Sequence, residues 1–162
     1  MLAEDGRVAL GFVEGPSVPA GLTSRVVGHD RLVLVVAPGH AWADRTVPVS
    51  AAELANTPLV VRETGSGTRE TLDRALRGID RTAPRVALGS NAAVKGAAIA
   101  GEGAAVLSRY AVEMELAAGR LVAVPLEVAG LDRTLRAVWP RGRRLTDAAD
   151  ALLRVAREVR VP

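Results

Sequence analysis

Two short polar stretches, each set between an apolar run and an amphipathic one, carry the residues best suited to hold a ligand. The first is Thr64, Gly65, Ser66, Gly67, Thr68 and Arg69. It follows the apolar run Leu59 to Val61 and leads into a segment whose Leu72, Ala75, Leu76 and Ile79 recur at the i, i+3, i+4, i+7 spacing of one buried helix face. The loop therefore sits on a helix start, where the first N–H groups lack helical partners and the macrodipole is positive. Gly65 and Gly67 permit close approach, while Ser66, Thr68 and Arg69 add donors, so a small anion fits the corner. A plainer reading also fits, in which Ser66 or Thr68 only caps the helix. Ser90 and Asn91 repeat the arrangement after the strand-like Arg85 to Leu88. Lys95 follows Asn91 by one helical turn, which either brings its ammonium to the same place or leaves it solvated. Glu14 ends an earlier apolar segment and either lines an opposite wall or accepts hydrogen bonds within its own loop.

Reactive chemistry finds little support. His29 and His40 stand apart without the spacing of metal ligands, so no metal site is expected. Gly65-Ser66-Gly67 has Thr64 where the nucleophile elbow needs its first glycine, and no histidine follows Ser66 to act as a base. Gly101-Glu102-Gly103 is half a dinucleotide fingerprint, with Val106 in place of the third glycine and a strand after it instead of before. Lys95 lies inside a helical segment and is followed by Gly96, which excludes a phosphate-binding P-loop. With no cysteine there are no disulfides, thiolate nucleophiles or cysteine-held clusters. The groups at the helix starts bind but do not react; no catalytic residue and no cofactor are expected, and the chain reads as a non-enzyme.

The elements that must position these groups are built from small aliphatics. Hydrophobic residues make up 49% of the 162, and aromatics only 2%, too few for a base-stacking or sugar-stacking platform. The formal charge is +3, and Lys95 is the only lysine. Acids and arginines are interspersed except for Arg141, Arg143 and Arg144, so no basic stripe for DNA is visible. No apolar run reaches the length of a membrane span, and Met1 is followed by LAEDGR, unlike a secretory leader.

Taken in order, residues 1–6 read as the end of a helix, and Arg7 to Val13 as a strand ending at Glu14, Gly15 and Pro16. Val18 to Arg31, with Pro19, Gly21 and Gly28, reads as mostly connection, and Leu32 to Ala37 as a fully buried strand. Ser50 and Glu53 form a capping box for a short helix that Pro58 stops. Beyond Leu88 the pattern continues with helix Ala92 to Ala100, strand Ala104 to Ser108, helix Tyr110 to Ala118 and strand Leu121 to Val124. Gly101 and Gly119 end the two helices. A strand at Thr134 to Trp139 and a helix at Asp147 to Val159, with Ala149, Leu152, Leu153 and Ala156 on one face, close the chain. Strands alternating with ten-residue helices predict an α/β fold with a parallel sheet.

The segments GRVALGFVEGP, LVLVVAPGHAWA, PLVVRETGSGTRE and GSNAAVKGAAIAGEGAAVLSRYAVEMELAAGRLVAV, followed by the C-terminal helix, stand in an order and spacing that resembles the effector-binding domain of LysR-type transcriptional regulators. The first is similar to the family's Gly-x-Leu-Asp-Leu-Ala-Leu-Val strand. The second departs from the usual His-Pro-Leu-Ala ending at Ala41 and Trp42. The resemblance implies a type II periplasmic-binding-protein-like fold, two α/β lobes joined by crossover strands, with the first lobe incomplete. Residues 1–56 would be the partial first lobe and crossover, 57–125 the second lobe, and 126–162 the return crossover and the first lobe's C-terminal helix. It implies a small polar or anionic effector in the interlobe cleft. One wall would come from Ser66, Thr68, Ser90 and Asn91, another from Glu14 and Gly15. It further implies a cytoplasmic homodimer that meets DNA only through a winged helix-turn-helix outside this chain, and no membrane partner. The alternative on the same scaffold is an extracytoplasmic solute-binding protein of an anion transporter.

Overall fold

The computed structural model describes residues 8–14 and 17–158. In chain order its elements are β1 (Gly11–Val13), β2 (Leu22–Val36), β3 (Val49–Ser50), α1 (Ala51–Ala55), β4 (Val60–Arg62), α2 (Gly67–Ala75) and β5 (Val86–Leu88). They continue with α3 (Asn91–Ile99), β6 (Ala105–Ser108), α4 (Arg109–Ala117), β7 (Val122–Val124), β8 (Leu126–Glu127), β9 (Asp132–Pro140) and α5 (Asp147–Glu158). The chain divides into two compact units, one of Met1–Asp30 with Arg133–Pro162 and the other Arg31–Asp132.

The second unit explains why Leu32 to Val36 is apolar without alternation. Leu32, Leu34 and Val36 join Val61, Leu72, Leu76 and Val106 in one buried cluster, while Val35 joins Val60, Val94, Ala105, Leu107 and Val112 in another. Helices α2 on one side and α3 and α4 on the other pack against these strands, and a strand covered on both faces needs no polar side. Parallel β4 pairs with β5 at Val60↔Val86, Val61↔Ala87 and Arg62↔Leu88, and with parallel β6 at Val60↔Ala105. The outer half of β2 runs antiparallel to β6 and β7. These pairings draw residues 31–56 into the same unit as the helices that follow. Gly103 shows what close packing demands: its φ is +151°, and a Cβ there would lie 3.5 Å from the Pro58 carbonyl oxygen.

In the first unit β9 lies between β1 and β2. β1 meets it antiparallel, with Gly11↔Val138, Phe12↔Ala137 and Val13↔Arg136. Leu22 and Val138 are buried with Val8, Val13 and Val18 around them, and α5 buries Ala149 and Leu153.

Two expectations need correction. Leu22 to Arg31 is strand and not connection, because β2 starts at Leu22 and continues unbroken to Val36. The hydrogen bonding of this half comes from β9, more than 100 residues away in sequence, and its mixture of polar and exposed side chains hides the strand period. Leu152, placed on the buried face of α5, is 49% exposed. The expected helix end at residues 1–6 lies outside the described residues, as does Arg7, and the strand expected there is described only as Gly11–Val13.

Candidate functional site

The parallel pairing of β4 and β5 brings two helix starts together. Arg62 and Leu88 are partners at the carboxyl ends of these strands, and the Glu63 N–H donates to the Leu88 carbonyl at 3.1 Å. Beyond them the chain enters α2 through Ser66 and α3 through Ser90. This is the end of a parallel sheet where loops and helix starts collect. Gly65 makes the first turn at φ +88°, a region costly for any residue with a Cβ, and the Ser66 N–H donates to the Glu63 carbonyl at 3.2 Å.

Both serines cap their helices. Ser66 Oγ accepts from the Arg69 N–H at a long 3.5 Å, and Ser90 Oγ accepts from the Ala93 N–H at 3.1 Å. Capping and ligand binding are not exclusive, because one hydroxyl satisfies only one of the several unpaired N–H groups at a helix start. Thr68 is 3% exposed and Ser66 8%, whereas Thr64, Gly65 and Ser90 are exposed and Gly67 and Asn91 half-buried.

Arg62 joins the two starts, and sequence reasoning passed over it. Its Nε and Nη2 donate to the Glu63 carboxylate at 2.7 and 2.8 Å, and its Nη1 donates to Asn91 Oδ1 at 2.6 Å. The hydrogen bond from Arg62 holds the Glu63 carboxyl below its ordinary 4.5, against the opposing cost of desolvation. The corner thus offers helix N–H groups, hydroxyls and a guanidinium whose charge is shared with one half-exposed carboxylate. The signal in the sequence was an arginine directly after the apolar Leu59 to Val61 run, at the strand's carboxyl end.

Other expected site residues are engaged elsewhere. Arg69 Nε reaches along α2 to both Asp73 oxygens, at 2.8 and 3.0 Å. The Lys95 ammonium lies 3.0 Å from Glu115 Oε1 and donates to the Ala111 carbonyl at 3.1 Å, so it is held against α4. Glu14, in the first unit, accepts from Arg133 Nη1 at 2.6 Å. Gly15 lies outside the described residues. His29 stands exposed within β2, and His40 Nδ1 accepts from the Trp42 N–H at 3.1 Å. Among the described residues no three His, Asp or Glu side chains gather as metal ligands, and no helix is long and apolar enough to cross a membrane.

Comparison with known proteins gives the same architecture a wider setting. Residues 2–160 match the model of the LysR substrate binding domain. An uncharacterized HTH-type transcriptional regulator of Mycobacterium tuberculosis is 50% identical over 144 residues, 86% of this chain and 46% of the relative. The uncharacterized HTH-type transcriptional regulator YeiE of Escherichia coli is 35% identical over 159 residues, covering 98% of this chain and 54% of its own length. The chain thus spans about half the length of these relatives. Among solved structures, the Synechocystis CcmR regulatory domain in complex with 2-PG aligns with a TM-score of 0.84 at 24% identity, covering 98% of this chain and 76% of that one.

Proposed function

The chain belongs to the LysR substrate binding domain family and has its periplasmic-binding-protein-like type II fold, and from that premise we propose that it senses a small polar or anionic effector on behalf of a transcription regulator. The observation that carries the reading is the pairing of Arg62 with Leu88, which sets the starts of α2 and α3 side by side with Arg62 bonded to Asn91 between them. Thr64, Gly65, Ser66, Gly67, Thr68, Ser90 and Asn91 form the corner, Arg62 supplies its positive charge, and Glu63 holds that charge until a ligand anion replaces it. Binding does no covalent work: it favours whichever conformation holds the anion better, which is all an effector needs to do.

The relatives named as HTH-type transcriptional regulators support the regulatory role, and CcmR's complex with 2-PG supports a small ligand in such a domain. In this reading the regulator is a cytoplasmic homodimer that is not an enzyme, and it contacts DNA through a winged helix-turn-helix outside this chain. A thermal-shift panel of small inorganic and carboxylate anions, followed by calorimetry, tests it. Thr68→Val should weaken the best ligand by about 1–3 kcal/mol, the cost of a buried polar partner left unpaired. Unchanged affinity, or no ligand in the panel, would count against the corner.

A further inference from the structure

The second unit contains a cavity of about 340 Å³, lined from the end of α1, from α2 and from the residues after it up to Pro84. Leu54, Leu72 and Leu76 form its back, each 4% exposed or less, so they are already sealed into the core and offer a ligand no apolar surface. What the cavity presents is charged and polar. Arg69 and Arg81 both bond to the Asp73 carboxylate, Arg69 through Nε alone and Arg81 through Nη1 alone. The other N–H groups of both guanidiniums have no protein acceptor among the described residues. Asp80 lines the same cavity, and its carboxylate takes part in no hydrogen bond or ion pair among the described residues.

We propose that this cavity binds a small polar α-amino acid as its zwitterion, with the carboxylate on the spare N–H groups of Arg69 and Arg81 and the ammonium on Asp80. Two arginines against two aspartates make the lining neutral. A ligand with net charge therefore gains no overall attraction, while a dipolar one gains at both ends. The arginines share one aspartate and keep donors in surplus, the arrangement that takes a carboxylate by charge-assisted hydrogen bonds. The volume is at the lower end of the range for small-molecule sites, which suits a ligand of this size. With the leucines sealed, a long aliphatic side chain has no apolar surface to cover, so a small polar one is favoured. Arg69, expected at the effector corner, thereby serves this site. The proposal goes beyond the effector reading and stands or falls separately, since Asp80 and Arg81 take no part in the corner.

The test is calorimetric titration of the full chain with L-serine, L-threonine, L-asparagine and L-glutamine, and with L-leucine as the aliphatic control. At least one of the four should bind saturably at one site and more tightly than L-leucine. Its methyl ester, which lacks the carboxylate, and the corresponding acid without the amino group should each bind at least about tenfold more weakly, the worth of a charge-assisted hydrogen bond. Asp80→Asn and Arg81→Ala, both at exposed positions outside the core, should each weaken the amino acid by a similar factor. Thr68→Val, at the effector corner, should leave its affinity unchanged. Absent saturation by all four, tighter binding of L-leucine, or equal binding of the ester or of the acid would overturn the assignment. So would an affinity that survives Asp80→Asn and Arg81→Ala, or one that is lost in Thr68→Val.

Discussion

Asp30 on β2 and Arg133 on β9 form a buried ion pair whose side chains are 1% and 2% exposed. Arg133 has a further carboxylate partner in Glu14, which is 46% exposed. Replacing Arg133 by methionine takes the guanidinium from a carboxylate that water cannot reach, and replacing Asp30 by leucine takes that carboxylate from a buried guanidinium; each should cost about 3–5 kcal/mol. The double variant Asp30→Leu/Arg133→Met removes both buried charges for apolar side chains of similar size, a change that is often close to neutral. The singles should consequently be non-additive by at least about 2 kcal/mol. Urea unfolding measures this, with Trp139 on β9 as the reporter in a Trp42→Phe background, because the two tryptophans lie in different units. Losses that add to within about 0.5 kcal/mol would show that the pair is not coupled and refute the reasoning.

Leu34 is fully buried in the apolar half of β2, and Leu34→Ala should destabilise the second unit by about 2–5 kcal/mol in urea unfolding reported by Trp42, the tryptophan of that unit, in a Trp139→Phe background. Ser90→Ala removes the N-cap of α3 and should cost about 1 kcal/mol, read as a lower melting temperature without ligand. The Glu115 carboxyl is held below its ordinary 4.5, chiefly by its hydrogen bond from Lys95. A carboxyl depressed by folding contributes stability that is fully present above its unfolded value and is lost as pH falls through its folded value. Glu115→Gln should therefore melt below the parent at neutral pH, with the gap closing as pH drops under 4.5. A gap independent of pH would mean that packing and not charge is at stake.

The helix starts at Ser66 and Ser90 were legible because capping hydroxyls and the stripe of Leu72 and Leu76 are local signals. So was the buried half of β2, whose five apolar residues are covered on both faces. Its other half was not, because Asp30 is buried against an arginine 103 positions away, and a sequence window reads such a residue as loop. The same limit applies to the cations. Arg69, Lys95 and Arg62 each have several acceptors within reach of a flexible side chain. Which they take, Asp73 for Arg69, Glu115 for Lys95, and Asn91 together with Glu63 for Arg62, is decided by tertiary packing. The corner's backbone was thus readable before its electrostatics.

The hold that Glu115 and the Ala111 carbonyl have on Lys95 also gives this chain a chemical clock at one side chain. Lys95 is the only lysine, and its amine is a nucleophile only when it is both deprotonated and released from its ion pair. Acylation by an amine-selective reagent, followed at the peptide that carries Lys95, then measures how often its ammonium leaves Glu115 and the Ala111 carbonyl of α4. No label or engineered residue is needed. A ligand that tightens this region would slow the modification, and one that loosens it would speed it, so the rate reports conformational coupling at a position that touches neither proposed site.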